Sequence, residues 1–225
     1  MGEAIGQILP LAVVVAFSPM PIVAVVLMLV SARARVNGPA FVLGWILGVG
    51  VVGGIILAVS GPADASDNGQ PATWVDWLKL LLGALLVLFA VSQWRGRPAR
   101  DDEVPTPRWM GAIDAFTPLK ALGAGVALSV ANPKNLLVII GAAAADAETG
   151  ISGGKQTIVW LVFTAIATVG VAVPVVMYYA LGERAAQVLD RLKMWMIRNS
   201  SVVMAVLCLI IGVKLIGYAI SGFAA

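Results

Sequence analysis

The chain has 225 residues, of which 60% are apolar and only 12% are charged, and its formal net charge is +3 at pH 7. Soluble domains average roughly 45–50% apolar and about 25% charged residues, so a soluble domain and a disordered chain are both excluded. A nucleic-acid binder is excluded because the basic residues lie scattered between apolar runs. With no histidine and Cys208 as the only cysteine, histidine-ligated metals, histidine bases and intramolecular disulfides are excluded as well. The composition predicts an all-α integral membrane protein.

Six apolar runs are each long enough to cross a bilayer once, because a hydrocarbon core of about 30 Å needs about 20 apolar residues as helix. In chain order, the predicted spans lie at about residues 5–30, 38–60, 74–94, 119–145, 156–181 and 199–221. The charged residues between the third and fourth spans divide the chain. We therefore predict a first three-helix unit at 1–94, a cytoplasmic linker at 95–118 and a second three-helix unit at 119–225.

The cationic side chains indicate which side of the membrane each loop faces. Eleven of the 15 Lys and Arg residues follow the first, third or fifth span, whereas the termini and the other loops hold only Lys155. The positive-inside rule then places both termini outside the cytoplasmic membrane. Apolar residues recur at helical spacing at 107–116 and 184–198, which predicts two short helices lying on the inner membrane surface.

The first and fourth spans carry proline motifs near their middles, at residues 17–21 (Phe-Ser-Pro-Met-Pro) and 131–135 (Ala-Asn-Pro-Lys-Asn). The third and sixth spans correspond through residues 80–83 and 209–212, which each end in glycine. Because each unit holds an odd number of spans, the two units are predicted to be inverted repeats. Interrupted helices at matching positions of such repeats are typical of the binding site of a secondary transporter.

A proline interrupts a helix because it lacks the amide proton, so three backbone carbonyls are expected to lose their partners: those of Val15, Phe17 and Ser129. Broken helix at membrane depth is tolerated only against protein or a wet cavity. Three polar side chains lie beside the breaks: Ser18, Asn132 and Asn135. The motifs therefore predict a polar site at the midplane of the membrane, with a pair of structural kinks as the simpler alternative.

Two lysines, Lys134 and Lys214, lie inside predicted spans, where a charge costs at least ~2.5–3.5 kcal/mol. Every acidic residue lies in a loop or at the end of a span, so neither lysine is expected to have a carboxylate partner. Lys134, at the centre of its span, is predicted to bind an anionic or strongly polar ligand or to be neutral. Lys214 is nearer the end of its span, and its ammonium could reach the interface by snorkelling instead. A cation substrate is disfavoured, because its carrier would need carboxylates inside the membrane.

These motifs resemble those of the LysE superfamily of exporters over essentially the whole chain. Residues 105–109, Asp114 and the run 132–137 make the chain most similar to the GAP/Sap branch, which is associated with moving envelope glycolipids such as glycopeptidolipids and sulfolipids towards the cell surface. The resemblance implies a translocation site whose core is Pro19, Pro21, Asn132, Pro133, Lys134 and Asn135.

Together, the residues and the resemblance predict a polytopic exporter of an envelope glycolipid, not an enzyme, with no cofactor. The predicted site consists of Ser18, Pro19, Pro21, Asn132, Pro133, Lys134, Asn135 and Lys214. The predicted partners are membrane lipid and the glycolipid itself, a larger lipid exporter or lipid-synthesis enzymes, and a second copy of the chain, but no nucleic acid. Two alternatives stay open: an exporter of small solutes such as amino acids, and a membrane scaffold that recruits lipid-synthesis enzymes without transporting anything.

Overall fold

The computed structural model describes residues 1–63, 73–97, 113, 115–147 and 149–223. The regular structure of these residues is helical throughout, which confirms the predicted all-α class. A short 3-10 turn at Gly182–Arg184 joins the last two α-helices. The α-helices are α1 (Gly2–Ala16), α2 (Pro19–Leu29), α3 (Ala34–Ala63), α4 (Thr73–Arg95), α5 (Pro118–Val130), α6 (Pro133–Ala147), α7 (Gly153–Leu181) and α8 (Ala185–Phe223).

By length and apolar composition, four of these helices can each cross a membrane: α3, α4, α7 and α8. The other four form two bent pairs, in which α1 meets α2 at 51° and α5 meets α6 at 67°. The chain therefore has four candidate spans, or six if each bent pair is one span. The bends fall inside the predicted first and fourth spans, where the prolines indicated interruptions.

Each bent pair is interrupted just before a proline that begins the next helix. Ser18 is extended (φ −88°, ψ 110°) and Pro19 is the first residue of α2. Likewise, α5 ends at Val130 and Pro133 is the first residue of α6. Proline suits the first position of a helix because the N–H that it lacks would have no partner within the helix. The prolines therefore start new helices in new directions.

The helices pack in pairs through small residues. The main pairs are α4 with α8, α3 with α5, and α1 with α7. Where α4 crosses α8, a Cβ on Gly83 would lie 2.8 Å from the carbonyl oxygen of Gly212, and a Cβ on Gly212 would lie 2.8 Å from that of Gly83. Small residues let helix backbones approach this closely in membranes.

Two buried indoles connect α3 and α7 reciprocally. The Nε1 of Trp45 on α3 donates to the carbonyl of Ala167 at 3.2 Å, and the Nε1 of Trp160 on α7 donates to the carbonyl of Gly50 at 3.3 Å. Trp45 is fully buried and Trp160 nearly so. These hydrogen bonds help to hold the two long helices beside the bent pairs.

The structure differs from the sequence predictions at the inner surface. The predicted sixth span, 199–221, is part of one continuous helix of 39 residues that begins at Ala185. The surface helix predicted at 184–198 is therefore the first part of α8 and not a separate element. Most of the other predicted surface helix, 107–116, lies outside the described residues. At its end, the carbonyl of Phe116 accepts a hydrogen bond from Asn37 Nδ2 at 3.0 Å.

Candidate functional site

The two helix breaks meet around the ammonium group of Lys134. This lysine lies in the first turn of α6 and is fully buried. Its Nζ donates to the carbonyl of Val14 at 2.7 Å and to Oγ of Ser18 at 2.6 Å. Both acceptors belong to the first bent pair, so one side chain of the second pair connects the two.

The carbonyl of Val14 accepts from Lys134 because α1 ends before the first proline. The Phe17 N–H still bonds to Val13 at 3.0 Å, but Ser18 is extended and leaves the helix. The last carbonyls of a helix need partners from outside it, and a cation is favourable near this negative end of the helix dipole. The proline positions predicted unpaired carbonyls at Val15 and Phe17, and the carbonyl that Lys134 binds is the neighbouring one of Val14.

Ser18 and Asn135 extend the cluster across the same interface. The Ser18 hydroxyl accepts from Lys134 and donates to Oδ1 of Asn135 at 2.7 Å. Asn135 is fully buried, and its Nδ2 donates to the carbonyl of Leu128 near the end of α5 at 3.4 Å. That carbonyl belongs to the residue before Ser129, whose own carbonyl the proline position predicted to be unpaired. Lys134 and Asn135 thus each bind a carbonyl at the end of a broken helix.

The remaining predicted residues of the two motifs shape the breaks. Asn132 caps α6, since its Oδ1 accepts from the backbone N–H of Lys134 at 3.1 Å, which is the hydrogen bond expected of a helix N-cap. Pro19 and Pro21 are buried in the first turn of α2, whereas Pro133 is exposed at the start of α6. These residues fix the directions of the helices that carry Ser18 and Lys134.

Lys214 lies apart from this cluster. Its side chain is half-buried, and its Nζ lies 5.3 Å from the ring centroid of Tyr218, one turn further along α8. Lys134 makes its side-chain hydrogen bonds to Val14 and Ser18 instead. The structure therefore does not bring the two predicted lysines together.

Two carboxyl groups among the described residues are buried within the protein, although both lie at the edges of predicted spans. Asp146 is fully buried because α6 continues to Ala147, past the predicted end of the span at 145. Asp76 on α4 is 5% exposed and pairs with Lys79 at 3.5 Å. The sequence placed both aspartates at the edges of spans, and only the packing of their helices showed that they are covered.

The Lys134 cluster has the chemistry of a site for an anionic or polar group. An ammonium has three N–H donors, and acceptors among the described residues take two of them. None of these residues brings a carboxylate within 4 Å of the ammonium. The serine hydroxyl and asparagine amide beside it are neutral. When Lys134 is protonated, the cluster therefore carries one buried positive charge with no carboxylate partner among the described residues.

A family model described as Sap, sulfolipid-1-addressing protein (SfLAP), matches residues 8–221. No curated protein matches the chain, and neither does any solved structure. The match includes both helix breaks and all the residues of the cluster, and it confirms the resemblance to the Sap branch.

Proposed function

Because the chain belongs to the family of Sap, the sulfolipid-1-addressing protein, we propose that it exports an envelope glycolipid, or a similar amphiphile with a polar or anionic head. The lipid would move across the cytoplasmic membrane or to its outer side. The observation that carries this proposal is the Lys134 ammonium, which is fully buried where the two helix breaks meet. A buried cation without a counter-charge is costly and favours an anionic ligand.

The headgroup would bind Lys134 by replacing its present acceptors. In this structure, the carbonyl of Val14 and the hydroxyl of Ser18 occupy the ammonium, and protein covers it completely. This conformation therefore keeps the site closed. Opening it requires α1 and α2 to separate from α6, which would expose the ammonium to a headgroup. The lipid tails would stay in the bilayer, so no wide aqueous channel is needed.

The helix contacts support the proposal that the chain consists of two inverted repeats. If the bent pair α1–α2 is exchanged for α5–α6, α3 for α7, and α4 for α8, then the contact of α1 with α7 becomes that of α5 with α3. The contact of α2 with α8 likewise becomes that of α6 with α4, and the crossing of α4 and α8 maps onto itself. Such exchange is expected of two repeats around an axis in the membrane plane.

Transport would then consist of rocking one repeat against the other about the helix breaks. We propose six spans, both termini outside the cytoplasmic membrane, and the cation-rich loops inside. The sequence contains no nucleotide-binding loop, so an ion gradient, a larger lipid exporter or downhill flow of lipid would supply the energy. Membership of the wider LysE superfamily stays a prediction.

The first experiment compares surface-extractable with total glycolipid in cells that lack this protein. The cells are complemented with the wild type, with Lys134→Ala or with Lys214→Ala. Lys214 is the matched control, because it is a second lysine on a spanning helix but lies outside the cluster. We expect the wild type and Lys214→Ala to restore surface display and Lys134→Ala to leave the lipid inside. Full complementation by Lys134→Ala, with expression equal to the wild type, would contradict the assignment of the site.

A small-solute exporter is the second candidate, because the carboxylate of an amino acid would bind the buried Lys134 ammonium equally well. Unchanged lipid distribution in the deletion strain, together with solute efflux from loaded vesicles, would favour it. A scaffold for lipid-synthesis enzymes predicts another pattern, in which Lys134→Ala would be silent. Substitutions of Arg184 or Arg191, which are exposed around the start of α8, or of Trp109, which lies outside the described residues, would abolish display.

A further inference from the structure

Asp146, in the last turn of α6, is a fully buried carboxyl group without a hydrogen-bond partner among the described residues. Neither of its side-chain oxygens accepts a hydrogen bond from a described residue. Its own backbone carbonyl is bonded to Thr149, at 3.2 Å from the backbone nitrogen and 2.7 Å from the hydroxyl. The backbone carbonyl of Asp146 is therefore bonded, whereas its carboxyl group makes no hydrogen bond to the described residues.

The position of Asp146 on its helix disfavours a negative charge further. The C-terminal end of a helix carries the negative end of the helix dipole, which repels an ionised carboxylate. Burial acts in the same direction, since a buried charge without a partner loses its hydration without compensation. Both effects favour the neutral, protonated carboxyl group.

The ionisable groups on the helices that pack against α6 do not form an ion pair with Asp146 among the described residues. α6 packs against α1, α3, α4, α5 and α7. Those helices and the adjoining terminus carry the following charged groups: the Met1 amino group, Glu3, Arg35, Asp76, Lys79, Arg95, Lys120 and Lys155. Asp76 is a useful contrast, because it is buried to nearly the same degree but has Lys79 as a counter-charge.

We propose that Asp146 is a proton-binding site, protonated in this closed conformation, which releases its proton when α6 moves and the carboxyl group meets water. A proton needs one carboxyl oxygen, whereas a metal ion needs several ligands, and the described residues gather no group of three acidic, cysteine or histidine side chains. Asp146 lies 12 residues from Lys134 on the same helix, or about 18 Å. A movement of α6 that opens the lysine cluster would therefore also displace Asp146.

The consequence for transport, which rests on the proposed function, is that proton release at Asp146 couples headgroup movement to a proton gradient. Closing the site around Lys134 would bury Asp146 and require it to take up a proton. Opening the site would allow the proton to leave. Each transport cycle would then carry one proton on this carboxyl group.

Infrared spectroscopy of the purified full-length protein in lipid nanodiscs tests the proton site without any lipid substrate. In pH-difference spectra, from which the non-titrating ester carbonyls of the lipid cancel, we expect a carbonyl stretch of a protonated carboxyl group at mildly acidic pH, which disappears as the pH is raised. Asp146→Asn should abolish this band. Asp76→Asn, the matched control, and Asp146→Glu should both keep a protonated band. If the band is absent at mildly acidic pH, or if it survives in Asp146→Asn, the proposal is wrong.

The coupling is tested separately in cells by the surface display of glycolipid with and without a protonophore. We expect the protonophore to reduce display by the wild type and to have no effect on the residual display by Asp146→Asn. A wild type that is indifferent to the protonophore would overturn the coupling even if the infrared band is present. Because the infrared result does not depend on export, failure of the proton site and failure of the proposed function are distinguishable.

Discussion

The two helix breaks contain the same kind of sequence but are stabilised differently. Each consists of a small polar residue followed by a proline that begins a helix. At the second break, Asn132 caps its own helix by accepting from the backbone N–H of Lys134. At the first break, Ser18 makes no side-chain cap and bonds instead to Lys134 and Asn135 of the other bent pair.

This difference shows that only the second break is stabilised by a side-chain hydrogen bond within its own bent pair. The second break keeps its cap whatever the first does, whereas the hydroxyl of Ser18 and the carbonyl of Val14 have their partner across the interface. Separation of the two bent pairs would leave Ser18 and Val14 without Lys134 but would not affect Asn132. The first break is therefore the one that we expect to respond when the site opens.

The largest expected effect on stability comes from substituting the glycines that pack against the two helix breaks. A Cβ on Gly170 of α7 would overlap the carbonyl of Ala16 beside the first break, whereas a Cβ on Gly48 of α3 would overlap the Ser129 hydroxyl beside the second. We expect Gly170→Ala to lower the free energy of unfolding by about 3 kcal/mol, because backbone cannot move aside. Gly48→Ala should cost less, since a hydroxyl can rotate. Denaturation in mixed detergent micelles measures both.

Gly123→Ala is the control for this pair, because a Cβ there meets nothing within 4 Å. It should leave stability unchanged or raise it, since alanine is a better helix former than glycine. Equal losses of stability for Gly170→Ala and Gly48→Ala would show that the groups packed against these two glycines are equally unable to move.

The next largest effect distinguishes Ser18 from Asn132, the polar residues at the two breaks. Ser18→Ala removes a hydroxyl that serves two buried partners, and leaving buried groups unsatisfied costs about 1–3 kcal/mol. Asn132→Ala removes a local cap, which typically costs about 1 kcal/mol. We expect the larger loss of thermal stability in detergent from Ser18→Ala. A larger loss from Asn132→Ala would reverse the comparison.

Double-mutant cycles test the same difference between Ser18 and Asn132. Ser18→Ala combined with Asn135→Ala should be non-additive by about 1 kcal/mol, since residues that share a hydrogen bond couple within about 0.5–3 kcal/mol. Ser18→Ala combined with Asn132→Ala should be closer to additive, because no hydrogen bond joins these two side chains among the described contacts. The free energies of unfolding of the singles and doubles give both values. Equal coupling in the two cycles would mean that Asn132 also belongs to the interface.

The smallest effect concerns the long helices that flank the breaks. Trp45→Phe and Trp160→Phe each remove one indole N–H bond between α3 and α7, and a hydrogen bond contributes about 0.5–1.5 kcal/mol net. Because the two bonds are reciprocal, we expect small and similar decreases in the free energy of unfolding. A large decrease for only one of them would show that the two sides are not equivalent.

Several features of the fold were predictable because they depend on local sequence. Hydropathy predicted where the helices lie, and Pro19 and Pro133 predicted where the bent pairs are interrupted. Proline alone was not sufficient, since Pro10 and Pro174 lie inside α1 and α7 without ending them. The polar residue before each proline distinguishes the breaks, because it can cap a helix or bond to another one.

The sequence by itself determined that Lys134 would be buried beside a helix break without an acidic partner, because membrane depth and charge can be read along the chain. Only the tertiary structure decided that its acceptors are Val14 and Ser18, more than 110 residues away. It also decided that Lys214 lies apart and that Asp146 is covered. The physical reason is that hydropathy and proline geometry act over a few residues, whereas a hydrogen-bond partner depends on how whole helices pack.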